Sequence, residues 1–204
     1  MSKAFREWLI DDVGLKRESV DESCRQILSF SRKESAFRGG THFNGYMGTG
    51  NRKAEVMVVS GIPTGCERNS KIVGLSEYAT TITIMLNKLG MQFEDIYWTL
   101  AIKSDDKANM SIINNHRKYL QEEVISVNPS IIISLGNTAI TSLLGKRTKW
   151  NEIDNKIGYN IHDNLPDIPI ITLEHPSSLI EKRDIDGFKA YFKSSWSTIK
   201  KSFD

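Results

Sequence analysis

Residues 174–179 read Glu-His-Pro-Ser-Ser-Leu, and the apolar run 168–173 before them has the composition of a buried strand. A strand that delivers His175 and then breaks at Pro176 presents the imidazole at the C-terminal edge of a sheet. Open α/β sheets hold their ligands at that edge. Ser177 and Ser178 add hydroxyls and backbone N–H groups suited to a phosphate or another anion.

The rest of the chain must build such a sheet, and its composition permits it. With 204 residues, 39% hydrophobic and 25% charged, the sequence is expected to form a single domain spanning 1–204, with residues 1–50 supplying N-terminal helices and a glycine-rich loop packed on the core. Lys+Arg 27 against Asp+Glu 25 leaves +2, so any nucleic-acid footprint must be local. Cys24 and Cys66 lie far apart, which offers neither a disulfide framework nor a thiol metal site. No apolar stretch has the length of a signal-peptide core or of the roughly 20 residues that span a bilayer. The expectation is a cytoplasmic protein with no membrane contact, no cofactor and, in the absence of heptads, a monomer without an obligate protein partner. No Gly-x-Gly-x-x-Gly follows a strand and no phosphate-binding Gly-x-x-x-x-Gly-Lys-Ser/Thr loop occurs, which disfavours a Rossmann-like nucleotide enzyme.

Helical spacing groups Phe5, Trp8, Leu9 and Val13, then Val20, Cys24, Ile27 and Leu28. Residues 38–53 are rich in glycine, with Phe43 and Tyr46 available to stack on a base and Arg38, Arg52 and Lys53 to meet phosphate. Strand patterns over 56–60, 96–102, 131–135 and 168–173 alternate with helical patterns after Ser76, over 112–127, over 137–144 and over 184–203, and a hairpin is possible near 157–160. Continuous apolar strands between helices predict a three-layer α/β/α sandwich around a four-stranded parallel sheet. Right-handed connections then bring the loops after Ser60, Ile102 and Leu173 to one edge.

Five segments in order carry a resemblance: Ser60, Gly61, Ile62, Pro63 and Thr64; Lys71, Ile72, Val73 and Gly74; 99–104; 134–139; and His175, Pro176, Ser177 and Ser178. Over about 54–180 they resemble the uracil-DNA glycosylase superfamily, most nearly its family 4, which is otherwise an iron–sulfur branch. The resemblance implies a domain that binds DNA, flips a nucleotide into a pocket and cleaves its N-glycosidic bond. The departures are as specific. The water-activating position before the proline matches Ile62, the aromatic beneath uracil matches Ile72, and the asparagine that reads the pyrimidine edge matches Leu100. Ser104 stands where a cluster cysteine follows Lys103, so no cluster is expected.

Glycosidic cleavage leaves positive charge on the sugar and negative charge on the base. His175 could donate to a carbonyl oxygen of the departing base. Ser177, Ser178, Asn137 and Thr138 could contact phosphates. Leu179 with Ile180 could fill the gap left by the flipped nucleotide, with Lys182 and Arg183 near the backbone. A carboxylate must replace the residue lost at Ile62, and Glu67 ranks first, then Asp105 and Asp106, then Glu174, which strand alternation is expected to turn away from His175. Lys71 and Lys103 are the positional candidates for a Schiff-base lyase. Gly61, Ile62, Ile72 and Leu100 would surround the base. With both uracil readers replaced, and side chains smaller than phenylalanine leaving more room, the expected substrate is an enlarged pyrimidine, such as the hydroxymethylated or glucosylated cytosine of phage DNA, which would make the protein a defence factor. The alternatives are a repair glycosylase for uracil or another deaminated base, and a DNA-binding relative that has lost hydrolysis.

Overall fold

The computed structural model describes residues 2–38, 45–147, 156–158 and 167–203. Its centre is a six-stranded sheet: β1 (Thr49–Gly50), β2 (Val56–Ser60), β3 (Tyr97–Leu100), β4 (Ile131–Leu135), β5 (Lys156–Gly158) and β6 (Ile170–Leu173), in the spatial order β1-β3-β2-β4-β6-β5. The four strands legible in the sequence form a contiguous parallel centre. The expected four-stranded sheet is therefore extended by two short antiparallel edges, β1 on β3 and β5 on β6. At two and three residues, these edges are too short to carry a period-2 signal.

Strand alternation sorts the core into two layers. Val56, Val58, Trp98, Leu100, Ile131, Ile133, Leu135, Ile171 and Leu173 face one side, where they meet the helices α1 (Lys3–Glu7), α2 (Arg17–Arg38), α4 (Glu77–Asn87), α7 (Ser177–Lys182) and α8 (Ile185–Phe203). Met57, Val59, Tyr97, Ala101, Ile132 and Ile170 face the other, under α5 (Met110–Val127) and α6 (Gly136–Leu144). The three-layer arrangement follows directly from that split. α3 (Gly65–Ser70) lies in the first loop and carried no apolar period by which to be foreseen.

The helix boundaries have local causes. The Ser76 side chain accepts from Ala79 N–H and starts α4, a cap worth about 1 kcal/mol. The Asn109 side chain caps α5 through Ile112 N–H, and Gly145 closes α6 at φ 73°. Near the N-terminus a π-helical turn, Trp8–Asp12, continues α1 and buries Trp8 and Leu9 together with Phe5. Val20, Cys24 and Ile27 are buried as their spacing implied, whereas Leu28 is exposed. In the glycine-rich stretch, Gly39, Gly40 and Phe43 lie outside the described residues, and so does most of the proposed hairpin beyond Gly158. Tyr46 is buried, with its hydroxyl donated to Asp105, so its ring is not free to stack on a base. No helix among the described residues is long and apolar enough to cross a membrane.

Candidate active site

The four parallel strands end at Ser60, Leu100, Leu135 and Leu173, so the loops that follow them share one edge. A cavity of about 360 Å³ opens between three of these loops. Gly61, Ile62, Asn137, Thr138, His175 and Ser177 all line it. Close approach is built in by glycine. Gly136 has φ +80°, and a Cβ there would lie 3.1 Å from the Cβ of His175.

The histidine has a defined hydrogen-bond state. Its Nδ1 accepts from Ser177 N–H at 3.3 Å, so the neutral ring carries its proton on Nε2, which lies 3.1 Å from Ser60 Oγ. The Tyr78 ring packs against the imidazole at 4.7 Å between centroids. Burial lowers the His175 pKa to about 4. At neutral pH it is thus an uncharged donor.

α6 begins beside it without a side-chain cap, because Leu135 occupies the capping position. Its first N–H groups, at the positions of Gly136, Asn137 and Thr138, border the cavity and favour an anion.

The carboxylates are distributed differently from the expectation. Glu67 is neither a surface charge nor a cavity wall: it is fully buried and accepts four hydrogen bonds. Thr64 N–H and hydroxyl reach Oε2 at 2.8 and 2.9 Å, while Gly74 N–H and the Tyr78 hydroxyl reach Oε1 at 2.7 and 2.8 Å. It ties the first loop to α4 and has no face toward the described lining of the cavity. Asp105 is exposed and held by the Tyr46 hydroxyl at 2.6 Å and Lys71 Nζ at 3.2 Å, with Arg68 at 3.6 Å; these partners lower its pKa, Tyr46 first. Asp106 accepts from Ser104, and Glu174, one residue past the end of β6, is exposed. The one carboxylate in the described lining is Glu181, on α7. The sequence reading passed over it because it sits among helix-end charges with no motif around it.

The base-reading positions also differ. Ile72 and Leu100 are 2% and 0% exposed and packed in the α4-side core, so they fill space rather than line the cavity. Ile180 is buried, and Leu179 is half-buried against the same core. The exposed apolar side chain at the cavity is Ile62. Ser178 and Lys182 are exposed, while Arg183 lies over the Trp8 ring at 5.2 Å and so turns toward the N-terminal helix.

Lys103 points to the opposite face of the sheet. It is buried in an ion pair with Glu123 and bonded to Thr99, at the floor of a separate cavity of about 400 Å³ whose lining shares no residue with that of His175. Burial lowers its pKa, and Glu123 opposes that shift. Lys71 has the reverse perturbation: bonds to Tyr46 and Asp105 raise its pKa.

The Uracil DNA glycosylase superfamily model matches residues 47–200. The chain belongs to this superfamily. It is 24% identical over 187 residues to the type-4 uracil-DNA glycosylase of Archaeoglobus fulgidus, covering 86% of this chain and 91% of that protein. An iron–sulfur cluster does not fit this member. Cubane and diiron clusters take four protein ligands, mainly thiolates, and the sequence holds two cysteines. Cys24 is buried on α2, Cys66 is exposed on α3, and Ser104 bonds Asp106 and His116.

Proposed function

We propose that this protein is a DNA glycosylase in which His175 stabilises the base as it leaves. The observation that carries the reading is a neutral imidazole, protonated on Nε2, at the wall of a cavity beside an uncapped helix start. As the glycosidic bond breaks, its electron pair moves onto the base. A hydrogen bond from Nε2 to a carbonyl oxygen of that base strengthens as the charge develops, which lowers the barrier without binding the ground state equally well. The sugar becomes oxocarbenium-like, and Glu181 is the carboxylate available to stabilise it and to accept a proton from the attacking water. Phosphates on either side meet the α6 N–H groups, Ser177, Ser178 and Lys182, and Ile62 is the apolar group that enters the stack when the nucleotide leaves it. The substrate reading retained is a modified pyrimidine, hydroxymethylated or glucosylated, as a phage genome would carry. It rests on the cavity lining, in which Ile72 and Leu100, buried in the core, supply neither an edge partner nor a stacking ring for uracil. The alternative is uracil itself, the base named in the Archaeoglobus relative.

Neither candidate lysine is placed for a Schiff base, since Lys103 faces another cavity and Lys71 is bonded to Tyr46 and Asp105. Hydrolysis without a lyase step is the reading retained, and borohydride should then trap no protein–DNA adduct. The reaction is tested by incubating wild type, His175→Ala and Glu181→Gln with single- and double-stranded DNA containing uracil, hypoxanthine, hydroxymethylcytosine or its glucosylated form, then cleaving abasic sites with alkali. Breaks at one base type, lost in His175→Ala, establish the glycosylase and its substrate. Binding without breaks on every DNA overturns it.

A further inference from the structure

A smaller cavity, of about 270 Å³, adjoins the one that His175 borders, and the two meet along Asn137 and Thr138. Met110 and Ile113 give it an apolar wall at the start of α5, while Asn109, Asn137 and Arg147 bring polar groups to its other sides. Both amides have a defined orientation. Asn109 Oδ1 accepts from Ile112 N–H at 3.0 Å, and Asn137 Oδ1 accepts from the Thr141 hydroxyl at 3.4 Å. With the oxygens taken up, the two NH2 groups are the ends left to a ligand. Among the described residues neither they nor the Arg147 guanidinium has another hydrogen-bond partner. The chamber is thus rich in donors and half apolar. A phosphate would satisfy the donors but gains nothing from the apolar wall, whereas a hexose offers hydroxyl oxygens at its rim and C–H groups on a ring face.

We propose that this chamber holds the hexose of a 5-glucosylated pyrimidine while the pyrimidine ring itself sits against His175, and that Asn109, Asn137 and Arg147 set the preference for that base. The inference rests on the glycosylase reading and deepens its substrate. Carbons 2 and 5 of a pyrimidine lie across the ring from each other. With the carbonyl at carbon 2 on His175, a 5-substituent leaves on the side away from the imidazole. The imidazole packs on Tyr78 of α4, in one helical layer, and the smaller cavity belongs to the other layer, with α5 and α6. Asn137, expected from the sequence to meet phosphate, meets the sugar here, and the α6 backbone N–H groups keep the phosphate.

The test uses single-stranded oligonucleotides carrying one 5-hydroxymethylcytosine or its glucosylated form, and reads the ratio of kcat/KM for the two. Binding of the same sequences with a 2′-fluoro sugar, which resists glycosidic cleavage, is measured in parallel. Wild type should favour the glucosylated base by both readouts. Arg147→Met, and Asn109→Ser, which retains a capping hydroxyl for α5, should each lower the kcat/KM ratio by about three- to tenfold. Ala108→Trp, at an exposed position in the lining, fills the chamber and should lower the ratio further. It decides the matter if Asn109→Ser does not fold. Equal use of the two bases by wild type, or a ratio that none of the variants changes, overturns the proposal and leaves the glycosylase reading standing. Variants that lose both bases in proportion would identify a phosphate as the occupant and overturn it as well. Cleavage of neither base, with a binding preference for the glucosylated strand that Ala108→Trp abolishes, would keep the sugar pocket and remove the glycosylase reading instead.

Discussion

The two faces of the sheet carry two buried polar clusters at the same strand ends, and they do opposite things. On the α4 side, Tyr78 donates to Glu67 and packs its ring on His175, which meets the Ser60 hydroxyl and lines a cavity bordered by an uncapped helix. On the α5 side, Lys103, Glu123 and Thr99 satisfy one another, with Gly48 N–H on the second glutamate oxygen at 3.1 Å. The neighbours Thr99 and Leu100 fall on different faces only because a strand alternates. Burial of charge does not by itself mark a reactive site. What distinguishes the His175 cluster is a neutral donor at the cavity wall beside an uncapped helix start, whereas the ammonium and carboxylate of the Lys103 cluster, which border the second cavity, are already paired with each other.

Breaking the paired cluster should cost the most stability. Lys103→Met leaves Glu123 without its cation and should lower unfolding free energy by about 3–5 kcal/mol, read from denaturant melts, while Lys103→Met with Glu123→Leu recovers most of it. Recovery that also left glycosylase activity intact would show that the α5 side serves the fold alone. At the other cluster, His175→Ala removes the donor and should reduce kcat by about 100- to 1000-fold, measured under single-turnover conditions, with DNA affinity retained. A stability loss without this rate loss would erase the contrast between the clusters. Glu67→Gln lies between the two: it turns one acceptor into an amide donor among four donors, for a cost of about 1–3 kcal/mol in melts and a smaller rate effect than His175→Ala.

The smallest effect is on pH dependence. The folded protein holds the His175 pKa at about 4, below the roughly 6.5 of an unfolded histidine. Above about 6.5 neither state is protonated at this residue, and its contribution to stability is complete. As the pH falls from there toward 4, the unfolded chain takes up a proton that the folded site refuses, and stability is lost. His175→Gln should flatten that part of the stability profile. An equal acid slope in the variant would assign the loss to other groups.

Much of the architecture was legible from periodicity. The β-branched runs at 56–60 and 131–135 fix strands within a residue of those observed, and Ser76 and Gly145 mark helix ends by capping chemistry that acts over three or four residues. His175, Ser177, Asn137, Thr138, Gly61 and Ile62 were also legible, since each follows a parallel strand end directly and topology does the rest. Glu67 shows the limit. Its loop is polar and glycine-bearing, so a local reading leaves it on the surface, and only the return of α4 across that loop supplies the Tyr78 hydroxyl and buries it. Ile72 and Leu100 were assigned to the base pocket by position, yet the core takes both side chains.

The sequence by itself determined the order of strands and helices, the edge at which chemistry-bearing residues gather, and the loss of cluster cysteines, because these depend on residue type and short-range spacing. The tertiary structure decided which polar groups pair with one another and which border the cavity of His175. That choice depends on donors and acceptors brought from 11 to 115 residues away, such as Tyr78 to Glu67 and Ser60 to His175, and hydrogen bonds of that span leave no periodic trace in the chain.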